Sequence, residues 1–376
     1  MPDFQESVSY YVGLMSGTSM DGIDAALVEF GDHTCSVIAT LASPYPDSLR
    51  QALLKASRTP AECTVDRIGQ LDHWIGECFR DAANSLLAEN EVDRAAVAAI
   101  GSHGQTLRHQ PRAARPFTLQ IGDPNLIAAG TGITTIADFR RRDIADGGEG
   151  APLAPAFHQW LFADPSRDRA VLNIGGIANV TMLPACGSPV VGFDTGPGNT
   201  LLDGWIRQCR DLPFDDDGAW SKDGNVSEAL LDVMLADVYF SLEPPKSTGF
   251  EYFNGTWTRN KIALAEQPVA DQDVQSTLAE LSARTIAVAI LEHAPAIEEL
   301  LVCGGGVRNS DLMQRLSSYL SGTDVRSTEQ FGLHADWVEA AAFAWLAMRC
   351  LDRKTGNLPE VTGAARASVL GAIYAA

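Results

Sequence analysis

The sequence contains no C-x-x-C pair, no H-E-x-x-H, no G-x-x-x-x-G-K-[ST] and no run of about 18 uncharged apolar residues. Each absence excludes something. The seven cysteines, at 35, 63, 78, 186, 209, 303 and 350, are scattered and odd in number, which argues against a disulfide framework and for a reduced compartment. Without the apolar run there is no candidate membrane span, and the acidic start MPDFQESVSYY lacks the apolar core of a signal peptide. The expected location is cytoplasmic. Basic charge is also scarce, with 28 Lys and Arg against 48 Asp and Glu and a net charge of −20. Sequence-independent binding to nucleic acid or to an anionic membrane is therefore not expected. The histidines show no paired metal spacing, so structural zinc is not expected either.

What is present is enough apolar material, 45% of 376 residues, for two domains with their own cores. Residues 10–30 read as a strand, a polar Gly-Ser-Thr turn and a second strand with Ile23, Ala25, Leu27 and Phe30 on its apolar side. The same pattern returns over 169–183, with Gly175 and Gly176 at the turn, which predicts a duplicated domain. A helix is expected over about 64–90, a buried strand over 95–102 and a mostly buried helix over about 336–351. Alternating strands and helices make the fold class α/β. The stretch DFRRRDIADGGEGAPLAP, 138–155, reads as an interdomain passage or an active-site loop. The expected domains are 1–137 and 138–376, with the terminal residues able to return to the first. Leu300–Asn309 reads as a strand feeding Gly304, Gly305 and Gly306, with Asn309 or Ser310 capping a helix from about Asp311.

The run GTSMDG, 17–22, poses the sharpest choice, because G-T-S-M also surrounds the nucleophilic serine of subtilisin-like proteases. Here the serine comes before His103 and Asp194, follows a strand by a few residues and leads into another strand rather than a helix. Asp21 would oppose a developing oxyanion. The alternative is a phosphate cradle, in which small residues let backbone amides converge on an anion. Any one glycine cluster is most simply a tight turn. Three clusters, each directly after a strand, favour the cradle.

The arrangement resembles the sugar kinase, heat-shock ATPase and actin superfamily, and within it the anhydro-N-acetylmuramic acid kinases of peptidoglycan recycling. The resemblance runs through GLMSGTSMDGIDAAL (13–27), GSHGQTLRH (101–109), LQIGDPNLIA (119–128), ADFRRRDIADGGEGAPL (137–153), LNIGGIANVT (172–181), GFDTGPGN (192–199) and CGGGVRN (303–309). It implies two duplicated actin-like, ribonuclease H-like domains with a nucleotide cleft between them, ATP and Mg²⁺ as cofactors, and an amino sugar as acceptor. A homodimer is common in the resembled family. Gly17, Thr18, Ser19, Met20, Asp21, Gly22, Ile23, Asp24, Gly175, Gly176, Gly304, Gly305, Gly306 and Asn309 are the implied ATP-binding residues. The superfamily's hairpins commonly open with an aspartate that orients magnesium; Met15 and Asn173 stand near those places here. The metal ligands stay open, with Asp21 and Asp24 as candidates.

The implied reaction opens the 1,6-anhydro bridge with water and phosphorylates the released O6. Ordinary glycoside hydrolysis needs a base and an acid; if phosphorus takes the leaving oxygen, one carboxylate suffices. By its match to the family motif that carboxylate is Asp194, expected in a fixed glycine-rich turn. The competing reading is an Asx turn onto the amide of Gly196 or Gly198. His103, Gln105 and Thr106 are expected to bond sugar hydroxyls or else to stabilise a loop, and Arg142 of the triple-basic run to bind the lactyl carboxylate or else to pair with nearby aspartates. Glu339 is a substrate contact by resemblance, or half of a D-x-x-E capping box with Asp336. The acidic DDDG, 215–218, reads as a solvated turn. The rival functions are a conventional sugar kinase acting on a free hydroxyl and a silent nucleotide sensor.

Overall fold

A computed structural model describes residues 9–17, 19–265 and 267–376, together with the backbone of Cys186 but not its side chain. Two compact units divide the chain, Met1–Leu161 with Trp337–Ala376, and Phe162–Asp336.

In the first unit the strands are β1 (Tyr10–Ser16), β2 (Gly22–Phe30), β3 (Cys35–Pro44), β4 (Val97–Gln110), β5 (Phe117–Ile121) and β6 (Thr135–Ala137). The second holds β7 (Arg169–Ile174), β8 (Ile177–Leu183), β9 (Val191–Pro197), β10 (Glu299–Cys303) and β11 (Asp324–Ser327), after which β12 (Ala372–Tyr374) returns to the first. The first sheet runs β12-β6-β4-β1-β2-β3, with β5 paired to β4, and the second runs β11-β10-β7-β8-β9. In each, a meander of three antiparallel strands is extended by two parallel ones on the side of its first strand. The shared order is the duplication that the two hairpins predict. The fold is α/β, with two sheets of the same plan.

Sequence explains the layers. On β2, Ile23, Ala25 and Leu27 enter one core with Phe79, Leu86 and Leu87 of helix Val65–Glu89. Thr64 caps that helix, its side chain accepting from Arg67 N. The helix Val338–Leu351 is buried on nearly all sides, and it lies against β1, β2 and β4. Its approach needs Gly13 and Gly101, where a Cβ would stand 1.8 Å from Ala340 O and 2.0 Å from Phe343 O. No side chain fits there.

Two expectations change. The stretch 138–155 is not the boundary between units, which falls at 161/162. Asp143, fully buried, accepts from Gly150 N, Asn357 Nδ2 and Thr362 Oγ1 at 2.7, 2.6 and 2.7 Å. That carboxylate binds the loop to the returning C-terminal segment. The second change concerns His103, Gln105 and Thr106, which lie within a strand of 14 residues, β4, and not in a loop after it.

Gly101→Ala is expected to lower unfolding free energy by about 2 kcal/mol, the scale of an overpacked core. An unchanged urea midpoint would remove this account of the helix contact.

Candidate active site

In the first unit the turn between β1 and β2 is built from beneath. Gln105, fully buried on β4, donates from Nε2 to Gly17 O at 3.1 Å. Its Oε1 lies 2.8 Å from Ser16 Oγ, which also lies 2.6 Å from Gly22 O. Gln105 is thus a buried strut for the turn. Met20 has a φ of +51°, and its side chain, like that of Ile23, is in the core. Only the backbone of these two can face a ligand. Ser19 is exposed and donates to Asp21 Oδ1 at 2.7 Å. Gly22 is required sterically, since a Cβ would meet Ser43 O at 2.6 Å. Thr18 lies outside the described residues.

Beside this turn the unit gathers charge. Asp24 keeps a face open to solvent, yet surrounding protein, then the charges of Asp21 and Glu339, push its carboxyl up to about 6. Glu339 is also exposed on one face, yet the protein around it raises its carboxyl, against the opposing pull of Arg140. Burial brings Arg140 down to about 10, with Glu339 and Asp143 acting the other way, so it stays charged. Its Nε and Nη2 donate to His103 Nε2 at 3.2 and 3.0 Å, and its Nη1 to Gly150 O at 2.8 Å. Burial and then Arg140 lower His103 to about 3, which leaves the ring neutral. His103 therefore orients Arg140. Thr106 Oγ1 accepts from Gln120 Nε2 at 3.1 Å.

The basic run separates into unlike members. Arg142 is exposed and pairs with Asp146 at 3.0 Å, and Arg141 pairs with Asp138 at 3.5 Å. Both arginines stay at the surface, although Asp146 itself is buried beneath Arg366 and Ser368. Arg140, one residue before them, is the member that reaches the Glu339 cluster. The capping box is absent: Trp337 is the N-cap residue of helix Val338–Leu351, with no side-chain cap, and Asp336 bonds Arg308 instead. Glu339 is left to the charge cluster.

In the second unit Gly175 and Gly176 turn between β7 and β8. Gly175 O accepts from Asn199 N at 2.9 Å, and Gly176 O from Gly198 N and Thr200 N at 2.9 and 3.0 Å. Of the three later glycines, Gly304 has a φ of +80° and would place a Cβ 2.3 Å from Asn173 Oδ1, while Gly306 would place one 2.3 Å from Ile174 Cγ2. Only Gly305 has open space around it. Asn309 caps helix Ser310–Tyr319 by accepting from Leu312 N at 2.9 Å.

Asp194 sits on β9, not in a turn. The β8–β9 register shifts here, with Asn179 opposite Asp194 and Ala178 opposite Gly196. The extra residue of this bulge is Thr195, directly after Asp194. Its N–H donates to Lys246 O at 3.2 Å, its carbonyl accepts from Tyr239 Oη at 2.7 Å, and its Oδ2 accepts from Thr248 N at 2.9 Å. The Asx-turn reading fails, because the partner amide belongs to Thr248, and Gly198 N bonds Gly176 O. Burial raises the carboxyl to about 7, with Thr248 opposing and Glu251 adding to the rise. A carboxylate near neutrality, with one oxygen unbonded among the described residues, suits a general base.

The run 215–218 also differs from expectation. Asp215 is buried and accepts from Trp220 N, Ser221 N and Gln275 Nε2 at 2.8, 2.9 and 3.2 Å, so it is an internal cap. Among the described residues no three His, Cys, Asp or Glu side chains come together as a metal site. Asp21 and Asp24 remain a two-carboxylate set, which suits a hard cation that keeps most of its waters. Sequence reasoning missed Arg140 as the half-buried member of its run, and missed Tyr239, Lys246 and Thr248 altogether. The stretch PPKSTG, 244–249, offers the glycine and prolines of a specific loop as its only signal.

A family profile described as anhydro-N-acetylmuramic acid kinase matches residues 9–376. A protein of that name from Xanthomonas campestris pv. campestris (strain 8004) is 52% identical over 369 residues, covering 97% of each chain. Another from Shewanella sp. (strain MR-7) is 50% identical over 368 residues, covering 98% of this chain and 99% of its own. Among solved structures, the activator of the 2-hydroxyisocaproyl-CoA dehydratase from Clostridium difficile, with bound ADPNP, aligns with a TM-score of 0.44 at 11% identity. The alignment covers 89% of this chain and 92% of that one.

Gln105→Leu should cost about 1–3 kcal/mol, since Gly17 O and Ser16 Oγ lose a buried partner. Chemical denaturation measures it, and stability equal to the parent's would deny the strut.

Proposed function

The chain belongs to the anhydro-N-acetylmuramic acid kinase family, and on that premise we propose that Asp194 activates the water that opens the substrate's 1,6-anhydro bridge while ATP phosphorylates the released O6. The product is N-acetylmuramic acid 6-phosphate, and the pathway is peptidoglycan recycling. The supporting observation is the state of the Asp194 carboxyl: raised to about 7, clamped through Oδ2 and without a hydrogen-bond partner at Oδ1 among the described residues.

Water attacks C1 and gives its proton to Asp194. The C1–O6 bond breaks, and O6 takes the γ-phosphoryl group in place of the proton that an acid would supply in ordinary glycoside cleavage. ADP leaves, and Asp194 returns its proton to solvent. No second catalytic acid is needed. Phosphoryl transfer asks mainly for position and charge neutralisation. The turns at Gly17–Gly22 and Gly175–Gly176 are the proposed phosphate-facing segments. Asp21 and Asp24 would hold Mg²⁺, which when bound neutralises phosphate charge. Arg140, fixed by His103 and Gly150, and Glu339 are the proposed sugar contacts of the first unit. Arg140 takes the role that the sequence assigns to Arg142, because Arg142 is held at the surface. A cytoplasmic location belongs to the same proposal, supported by the free thiols of Cys35, Cys63, Cys78, Cys209 and Cys350.

Reaction in ¹⁸O-labelled water tests the coupling. The expected product carries the label at C1 and the old bridge oxygen under phosphate; a phosphorylated product with the anhydro bridge intact would overturn it in favour of a conventional kinase. Asp194→Asn is expected to lower kcat by at least about 10²-fold with ATP binding retained; near-normal turnover would remove the role. Because the base must be ionised, kcat/KM should rise with pH through about 7, where burial holds this carboxyl. A flat profile from pH 5 to 8 would contradict it.

A further inference from the structure

Every backbone and carboxylate bond that Asp194 makes beyond its own sheet ends on one short stretch, 239–248. Its N–H, its carbonyl and its Oδ2 meet Lys246 O, Tyr239 Oη and Thr248 N respectively, at 3.2, 2.7 and 2.9 Å. Strand neighbours alone would fix the direction of β9 but not the torsion of this side chain. The stretch is itself anchored. Asp237 accepts from Tyr252 Oη at 2.6 Å, Trp257 Nε1 at 2.8 Å and Tyr239 N at 3.1 Å, and pairs with Lys261 Nζ at 3.1 Å. The Tyr239 ring packs edge-on against Phe240 and Phe253, with centroids 5.9 and 5.4 Å away. Gly196, two residues beyond Asp194 at a φ of +148°, would place a Cβ 2.9 Å from the Phe240 ring. The stretch therefore sits directly on the bulge.

We infer that Tyr239 and Thr248 are positioning residues for the reaction, a clamp anchored at Asp237 that aims Oδ1 of Asp194 at the attacking water. This rests on the proposed role of Asp194 as base. The clamp uses the backbone carbonyl and one carboxylate oxygen, so it fixes both ends of the side chain and leaves the other oxygen to take the proton. Misaiming a base by a fraction of an ångström lowers the rate without touching substrate affinity.

The clamp also acts on proton affinity. The groups facing Asp194 are Thr248 N–H, Tyr239, Glu251 and Lys246 from this segment and its continuation. From helix Asp271–His293, His293 stands edge-on to Phe193 at 4.9 Å and Glu292 acts on Lys246. Strand β8 brings no ionisable side chain. Among these the Thr248 amide favours the carboxylate and Glu251 disfavours it. Loosening the clamp should thus move the acid limb of the rate profile to higher pH.

Tyr239→Phe keeps the ring cluster and removes the bond to the Asp194 carbonyl, while Thr248→Pro removes the amide donor to Oδ2. Each full-length variant is assayed with ATP, Mg²⁺ and the anhydro sugar from pH 5 to 9, beside Asp194→Asn and a control, Tyr319→Phe, whose hydroxyl bonds Glu280. The expected result is kcat lower by about tenfold in Tyr239→Phe and more in Thr248→Pro, KM within about twofold of the parent, and an acid limb displaced upward. The control should match the parent. If Asp194→Asn is inactive while both clamp variants keep the parent's kcat and acid limb, the clamp is refuted and the base stands. If Asp194→Asn turns over normally, the base falls and the clamp with it. Tyr239→Phe melting with the parent while losing rate excludes a merely structural role; a loss of rate that only follows a fall in Tm, with the acid limb unmoved in both variants, overturns the inference.

Discussion

The first unit depends on a contact that no side chain can mediate, the approach of helix Val338–Leu351 to the backbone of β1 and β4 at Gly13 and Gly101. Its effect is more than compactness. Ala340, whose carbonyl lies against Gly13, directly follows Glu339, so seating the helix sets where that carboxyl stands. It then lies within electrostatic reach of Asp24, at the start of β2, and of Arg140, just after β6. A helix held farther off by two methyl groups would move Glu339 with it. The charge cluster is therefore a consequence of two hydrogen atoms in place of side chains.

The two sheets share one strand order but hold their first turns differently. In the first unit a side chain from the neighbouring parallel strand, Gln105, reaches the turn; in the second, the carbonyls of Gly175 and Gly176 take amides from the junction of β9 and the helix Thr200–Arg210. Both solutions leave a glycine-rich backbone at a strand end. The third cluster obeys another constraint. Gly304 and Gly306 are needed because Asn173 and Ile174 crowd them, and Asn309 is consumed in capping. Of that cluster only Gly305 has the space a ligand requires.

The fold was legible wherever the signal is local. Hydrophobic alternation and Gly turns located the hairpins β1–β2 and β7–β8, and Thr64 and Asn309 are cap residues that sequence can nominate. What could not be read depends on partners far away along the chain. Asp143 looks like one more charge in an acidic loop until Asn357 and Thr362, more than 200 residues later, are seen to bond it. Arg140, Arg141 and Arg142 are alike as letters, and only the position of His103 shows which one turns inward. Asp194 is nominated by motif, but its setting differs from a glycine-rich turn, because a bulge and a supporting stretch from 239–248 cannot be inferred from the glycines beside it. Gln105 is expected to meet a sugar hydroxyl, and the bonds it makes go to Gly17 O and Ser16 Oγ of the turn.

Asp194 also links stability to chemistry. Its folded value, about 7, lies above the ordinary carboxylate value near 4. The folded state therefore holds the proton more tightly than the unfolded chain. This carboxyl costs nothing at low pH, begins to destabilise the fold as pH rises past about 4, and reaches its full penalty above about 7. Additional hydrogen bonds to the carboxylate would relieve that penalty, but each would also lower its proton affinity and weaken it as a base. One amide, from Thr248, fixes the direction of Oδ2 while leaving the proton affinity high. The arrangement accepts a less stable ionised form at neutral pH, and that is the form the proposed base role requires.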